Sequence, residues 1–375
     1  MINTFYFLEN LKSNNLTFAT GVPDSLLKDL LKALERAWGK ESNLIAANEG
    51  NAIAIAAGHY ISTRTPAIVY MQNSGLGNAV NPIISLADSE VYSIPMLILI
   101  GWRGEPGTKD EPQHIKQGKI TNELLQVLQI PTYRIGPDSN VADILADAKY
   151  KMMSELRPVA LLISKDTFAP VESTKLESEE FHLSREQAIQ SIIDVAPKGA
   201  LIVCTTGMAS RELFEIRERN GDSHKFDFLT VGSMGHASSI AFGIAMNLPT
   251  RSVICIDGDG SFLMHMGASG IIAQSELKNF FHILINNGAH DSVGGQPTIG
   301  FKLNLEKLTK EIGYRETRSC DTDNSLRNNL NEMLDLKGPN FLEIRVNKGA
   351  RKSLGRPTIS PKENLKDFME NILDE

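Results

Sequence analysis

The chain has 375 residues, 42% apolar and 22% charged, a composition that sustains a packed core and suits two domains of roughly 180 residues each. A formal net charge of −7 argues against an overall basic nucleic-acid-binding surface, and no apolar run approaches the roughly 20 residues needed to cross a bilayer. The cysteines, Cys204, Cys255 and Cys320, are too few and scattered for a disulfide framework, and MINTFYFLENLKSNN (1–15) lacks the pattern of a signal peptide, so a reducing, cytoplasmic setting is expected.

In chain order, strands are predicted at LTFAT (16–20), AIVYM (67–71), MLILIG (96–101), TYRI (132–135) and VALLIS (159–164), with helices at 24–37, 49–62, 75–88, 117–129 and 139–156. The charged stretch 166–182 has few large apolar residues and reads as a linker. Strands then resume at ALIVC (200–204), FDFLT (226–230), SVICID (252–257), FHILIN (281–286) and NFLEIRV (340–346). The strand runs are continuously apolar, as in parallel sheets covered on both faces. The expected fold class is therefore α/β, with two doubly wound parallel-sheet domains at 1–168 and 184–375, a linker at 169–183 and no middle domain. The segments 48–62 and 232–246 are both rich in small residues and suggest a shared architecture.

The strongest chemical pattern is GDGSF (258–262) after one buried strand and NNGAH (286–290) after the next. In open α/β sheets, ligands bind beyond the carboxyl ends of strands, so both loops can face one ligand. A carboxylate and an amide oxygen suit Mg²⁺, with phosphate oxygens completing its shell. Gly258 and Gly260 permit a tight turn and close backbone approach, and Ser261 lies at a helix start, where amides attract anions. Thr206 and Gly207, with Met208, follow ALIVC and form a second phosphate-facing turn.

These motifs resemble the thiamine-diphosphate-dependent enzymes. The resemblance implies thiamine diphosphate and Mg²⁺ as cofactors, with metal ligation by Asp259, Asn287 and the Ala289 carbonyl, and Asn286 as the competing amide. It implies that Ser261 and the TTGM turn (205–208) hold the diphosphate. Glu49, in LIAANEGNAIAIAAG (44–58), matches the family glutamate that activates the cofactor's pyrimidine; a helix-start acid offsetting the helix dipole is the structural alternative. Met234, in GSMGHA (232–237), matches the residue that bends the cofactor, and the Gly232 carbonyl would accept from the cofactor's amine. Activity is expected to run through a ylid and an enamine, at sites shared across a homodimer or higher oligomer.

The missing middle domain, GVPDS (21–25) and KGARKSLGRP (348–357) resemble the compact family members that decarboxylate phosphonopyruvate and, next, sulfopyruvate. A dianionic 2-oxo acid calls for cations. Arg103 and Lys109 in the 101–114 loop, and Lys348, Arg351, Lys352 and Arg356 after the last strand, are candidates, with solvated surface charge as the alternative. Asp24 and His114 are candidate proton carriers; Ser25, Gln72 and Asn73 are candidate substrate contacts, Asp24 and Ser25 doubling as helix-cap candidates. The 101–114 loop is also a candidate lid. The reading from another class is a non-catalytic Mg²⁺-diphosphate-binding module. A nicotinamide dehydrogenase is disfavoured because no GxGxxG follows a first strand.

Overall fold

The computed structural model describes residues 1–172 and 181–373, so the middle of the expected linker lies outside the described residues. The chain divides into two compact units, Met1–Leu176 and Glu177–Glu375.

In the first unit, six parallel strands form one sheet: β1 (Ala19–Gly21), β2 (Asn43–Ile45), β3 (Ala67–Gln72), β4 (Met96–Gly101), β5 (Thr132–Ile135) and β6 (Val159–Ile163), in the order β2-β1-β3-β4-β6-β5. The continuous apolar runs follow from cover on both faces. Along β4, Leu97 and Leu99 pack into one core layer with Leu30, Leu34 and Leu145. Met96, Ile98 and Ile100 pack into the other, with Ala52, Ile53 and Leu125. Two helix starts differ clearly from the predicted ones. The first crossover helix begins at Lys28 rather than 24, because the Asp24 carboxylate accepts from Leu26 N at 2.9 Å and holds residues 22–27 as a turn. The helix expected at 117 begins at Pro112, a residue suited to a first helical turn since its missing N–H would have no partner there.

In the second unit, β7 (Leu201–Cys204), β8 (Asp227–Leu229), β9 (Val253–Gly258) and β10 (Phe280–Asn286) are followed by a small antiparallel hairpin, β11 (Ala289–His290) with β12 (Gln296–Pro297). Then come β13 (Glu316–Cys320) and β14 (Asn340–Arg345), and the parallel sheet runs β13-β14-β10-β9-β7-β8. Ile254 and Ile256 of β9 face one core layer, and Val253 and Cys255 face the other. β13 was not predicted. It is an edge strand of sequence ETRSC, mostly half-buried, and lacks the apolar signature of the interior strands.

Set side by side, the two sheets share one strand order: the second, read from β8, repeats the sequence of the first read from β2. In both, the connections reverse direction between the first and third strands of the unit, which is where open sheets form a ligand crevice. In the first unit that point is flanked by residues 22–25 and 72–75, in the second by TTGM and GDGS.

Candidate active site

In the first unit, Glu49 opens the helix Glu49–Thr63, whose start is capped by Asn48 accepting from Asn51 N at 2.9 Å. The side chain is buried, 5% exposed, and its Oε2 accepts from Asn78 Nδ2 at 2.8 Å. A side chain at Gly75 would collide with the Glu49 carboxyl. The helix owes its close approach to β3 to Ala52, Ala56 and Ala57, all buried.

A second set of side chains gathers at the carboxyl ends of β1, β3 and β4. Asp24 is fully buried; its Oδ1 accepts from Gln72 Nε2 at 2.8 Å. Burial pushes the Asp24 carboxyl up, against the lowering effect of the Gln72 and Leu26 hydrogen bonds and of Arg103. Arg103 donates through Nη1 to Ser25 Oγ at 2.8 Å and through Nε and Nη2 to both Asp110 oxygens, at 2.8 and 2.5 Å. Burial pushes the Asp110 carboxyl up, but Arg103 and the amides of Glu111 and Gly104 more than offset it and hold it well below the usual range. His114 Nδ1 lies 3.5 Å from Asp110 Oδ1; burial and then the Arg103 charge push the imidazole pKa down, toward the neutral form. Asn73 Nδ2 donates to the Arg103 carbonyl at 2.8 Å and to Thr121 Oγ1 at 2.9 Å. Asp24 with Gln72, and Arg103 with Ser25 and Asn73, are thus two hydrogen-bonded groups at neighbouring strand ends, with His114 beside Asp110, whereas Lys109 is exposed. The loop 101–111 is tied down rather than loose: Trp102 Nε1 donates to the Gly118 carbonyl at 2.9 Å, and Gly104 N to Asp110 at 2.7 Å.

In the second unit, the two motif loops converge. Asp259 is buried at the start of the short helix Asp259–Met264 and accepts from the Thr298 hydroxyl. Burial pushes its carboxyl up to about 6, although Thr298 and the Gly260 and Asn287 amides favour the charged form. No ion pair reaches it among the described residues. A buried carboxylate in this state gains from a bound cation, so the donor set fits a hard metal ion. Asn287 donates through Nδ2 to Asp291 Oδ2 at 2.7 Å, while its Oδ1 accepts from Ala289 N at 3.1 Å. Asn286 is tied the other way, donating to Glu343 Oε1 at 2.8 Å; its Oδ1 accepts from Gly288 N at 3.1 Å and faces Gly300, as does Asp259 Oδ2.

The diphosphate candidates also meet. Ser261 Oγ lies 3.1 Å from Thr205 Oγ1 and accepts from Gly235 N at 2.9 Å, joining the loops that hold TTGM and GSMG. Gly207 has φ +97° and packs against Ser292, a backbone that a larger residue would strain. Thr206, Met208, Gly232, Met234 and Gly258 are half-buried around this turn. A side chain at Gly260 would run into the His290 ring and the Met234 methyl, so Gly260, Met234 and His290 share one surface. Burial pushes the His290 imidazole down to about 4.

The basic C-terminal candidates are placed differently. Arg351 pairs with Glu186 at 2.9 Å and with Glu215, and Arg356, Lys348 and Lys352 are exposed. Sequence reasoning passed over Asn78, Asp110, Asp291, Thr298 and His290. Asp110 stood in the 101–114 loop and Asn78 a few residues beyond Asn73, but no local pattern says which side chain turns inward. A further buried group was also missed: Tyr314 and His282 Nδ1 are 2.9 Å apart, His282 Nε2 lies 3.5 Å from Asp257 Oδ2, and Asp257 Oδ1 accepts from Gly258 N at 2.9 Å. This chain of contacts runs directly beneath the GDGS turn.

Among the described residues no helix is long and apolar enough to cross a membrane. The thiamine pyrophosphate enzyme N-terminal TPP-binding domain matches residues 4–127, and the corresponding C-terminal TPP-binding domain matches residues 205–344. The chain is 32% identical to a phosphonopyruvate decarboxylase of Streptomyces hygroscopicus, covering 99% of this chain and 94% of that one. It is 31% identical to a phosphonopyruvate decarboxylase of Streptomyces viridochromogenes, covering 98% and 94%. A sulfopyruvate decarboxylase of Methanosarcina acetivorans is 25% identical over 97% of this chain and 96% of its own.

Proposed function

The chain belongs to the thiamine pyrophosphate enzymes, and from that premise we propose that it decarboxylates 3-phosphonopyruvate to phosphonoacetaldehyde and CO₂. The chain is a thiamine-diphosphate-dependent carboxy-lyase acting on a 2-oxo acid. The observation that favours the phosphonate is near-complete coverage, at 31–32% identity, of two phosphonopyruvate decarboxylases.

When bound, thiamine diphosphate supplies the electron sink that lets a 2-oxo acid lose CO₂. The residues here have the chemistry to hold it. Asp259, Asn287 and the Ala289 carbonyl offer oxygen ligands to Mg²⁺, and Ser261 and the Thr206–Gly207–Met208 turn offer donors to the diphosphate. Gly232 and Met234 line the same loop system. Glu49, fixed by Asn78, is the carboxylate for the pyrimidine ring. In the first unit, Arg103 and Ser25 present donors for the phosphonate; Asn73 holds the Arg103 backbone, and Gln72 holds the Asp24 carboxyl. Burial raises the Asp24 carboxyl and lowers the His114 imidazole, which suits Asp24 to donate a proton and His114 to accept one. Arg351 and Arg356 are weaker candidates than Arg103, since both are exposed, whereas Arg103 is half-buried beside Ser25 at the strand ends. We also infer a homodimer or higher oligomer with sites at the subunit interface.

The test offers phosphonopyruvate, sulfopyruvate and pyruvate in parallel to the purified protein with thiamine diphosphate and Mg²⁺, and follows aldehyde formation. Highest kcat/KM on phosphonopyruvate is expected. Equal or better turnover of sulfopyruvate transfers the assignment to the sulfonate, and no turnover of any 2-oxo acid leaves a binding module.

A further inference from the structure

Three donors converge on a single oxygen of Asp291. Its Oδ2 accepts from Asn287 Nδ2 at 2.7 Å, from Arg185 Nη1 at 2.9 Å and from Gly349 N at 2.8 Å. Arg185 is buried, 6% exposed, at the first turn of the helix Arg185–Val195. Its other edge is locked to Glu212, with Nε 2.7 Å from Oε2 and Nη2 3.1 Å from Oε1, and Nη2 also reaches the Gly349 carbonyl at 3.2 Å. Arg185 and Asp291 therefore grip the Gly349 residue at both its N–H and its C=O. Gly349 has φ +98°, which a side chain would strain.

The consequence for Asn287 follows from its amide. An asparagine amide has a donor end and an acceptor end, and an ionised carboxylate accepts only. Asp291 accordingly takes the nitrogen, and the Asn287 oxygen is turned to the side of the Ala289 amide. Were Asp291 absent, only the Ala289 N–H would still hold the amide in this sense, and a half-turn would present nitrogen, which has no lone pair free for a metal ion. Outer groups that orient a ligand in this way commonly set metal affinity by about 10- to 100-fold.

We propose that Asp291, clamped by Arg185, is a positioning residue that sets the Asn287 amide oxygen-first for the metal and ties that setting to the Gly349 turn. This rests on the reading of Asp259, Asn287 and Ala289 as the metal's ligands. Neither Asp291 nor Arg185 touches the reacting atoms in this role. The turn they hold carries Lys348, Arg351 and Lys352, so the same clamp fixes where the exposed cations emerge from the sheet.

The experiment measures Mn²⁺ affinity by electron paramagnetic resonance in the presence of thiamine diphosphate, for the intact protein and for Asp291→Ala, Asp291→Asn and Asp259→Ala. Asp291→Ala is expected to bind Mn²⁺ about 10- to 100-fold more weakly, with kcat restored as Mg²⁺ is raised, a rescue that a merely misfolded protein would not show. Asp291→Asn keeps the shape and an acceptor oxygen, and is expected to lose less; it decides the question if the alanine variant does not fold. Unchanged Mn²⁺ affinity in both folded Asp291 variants, with Asp259→Ala impaired, overturns the positioning role and leaves the metal site standing. Unchanged affinity in Asp259→Ala overturns the metal site itself.

Discussion

Asn78 donates its side-chain amide to Glu49 Oε2 across 2.8 Å, from a helix that begins 27 residues further along the chain. The bond leaves the glutamate one fixed orientation in a pocket that Gly75 keeps open. Glu49→Gln preserves shape and removes the charge. Turnover is expected to fall by about 10²- to 10⁴-fold, the range for a positioned proton-transfer group, with diphosphate binding kept. Steady-state kinetics alongside calorimetric titration of thiamine diphosphate checks both halves. An unchanged rate removes Glu49 from the reaction.

Asp259 should decide cofactor retention rather than rate alone. Asp259→Ala takes away the buried carboxylate proposed to hold Mg²⁺. Binding of thiamine diphosphate is expected to lose its dependence on Mg²⁺, seen as superimposable titrations with and without the metal.

Arg103 separates charge recognition from chemistry. Arg103→Met should lower kcat/KM on phosphonopyruvate by about 10- to 100-fold, as expected when a hydrogen bond to a charged group worth ~1.5–3 kcal/mol is lost. Pyruvate, which lacks the second anion, should be affected far less. Lys109→Ala, at an exposed position, should leave both substrates unchanged. Equal losses on both substrates would show that Arg103 acts only by holding Asp110 and the loop.

Asp24 carries a pH signature. Its folded carboxyl is raised by burial above the ordinary value of 3.8, so the folded state favours the protonated form. The stabilisation this gives is complete below the unfolded value and is lost as pH rises through the folded one. The difference in melting temperature between the natural protein and Asp24→Asn should therefore shift toward the natural protein as the pH is lowered from neutrality toward 4. A flat difference would show that Asp24 does not titrate in that window.

Gly118 tests the anchoring of the 101–111 loop. An added methyl would collide with the Gly104 backbone, which has little freedom to move because its own N–H is bound to Asp110. Gly118→Ala should destabilise the protein by about 1–3 kcal/mol, the usual cost of overpacking, and lower the transition midpoint in urea without changing its slope.

The sequence alone carried the fold class, the family and its cofactor, because all three depend on local patterns. Continuous apolar runs marked the interior strands β3, β4, β6, β9 and β10; the motifs after β9 and β10 singled out Asp259 and Asn287, and the small-residue segment after β2 singled out Glu49. The edge strand β13 and the hairpin β11–β12 escaped, since edge strands carry mixed polarity and two-residue strands have no period to read. Tertiary structure decided which polar side chains meet. Arg103 became the partner of Asp110 and Ser25, Arg351 was matched to Glu186 and Glu215, and Asn287 was turned by Asp291. The physical reason is that hydrogen-bond geometry is fixed by the distances between strand ends and helices far apart in the chain, and no window of sequence contains those distances.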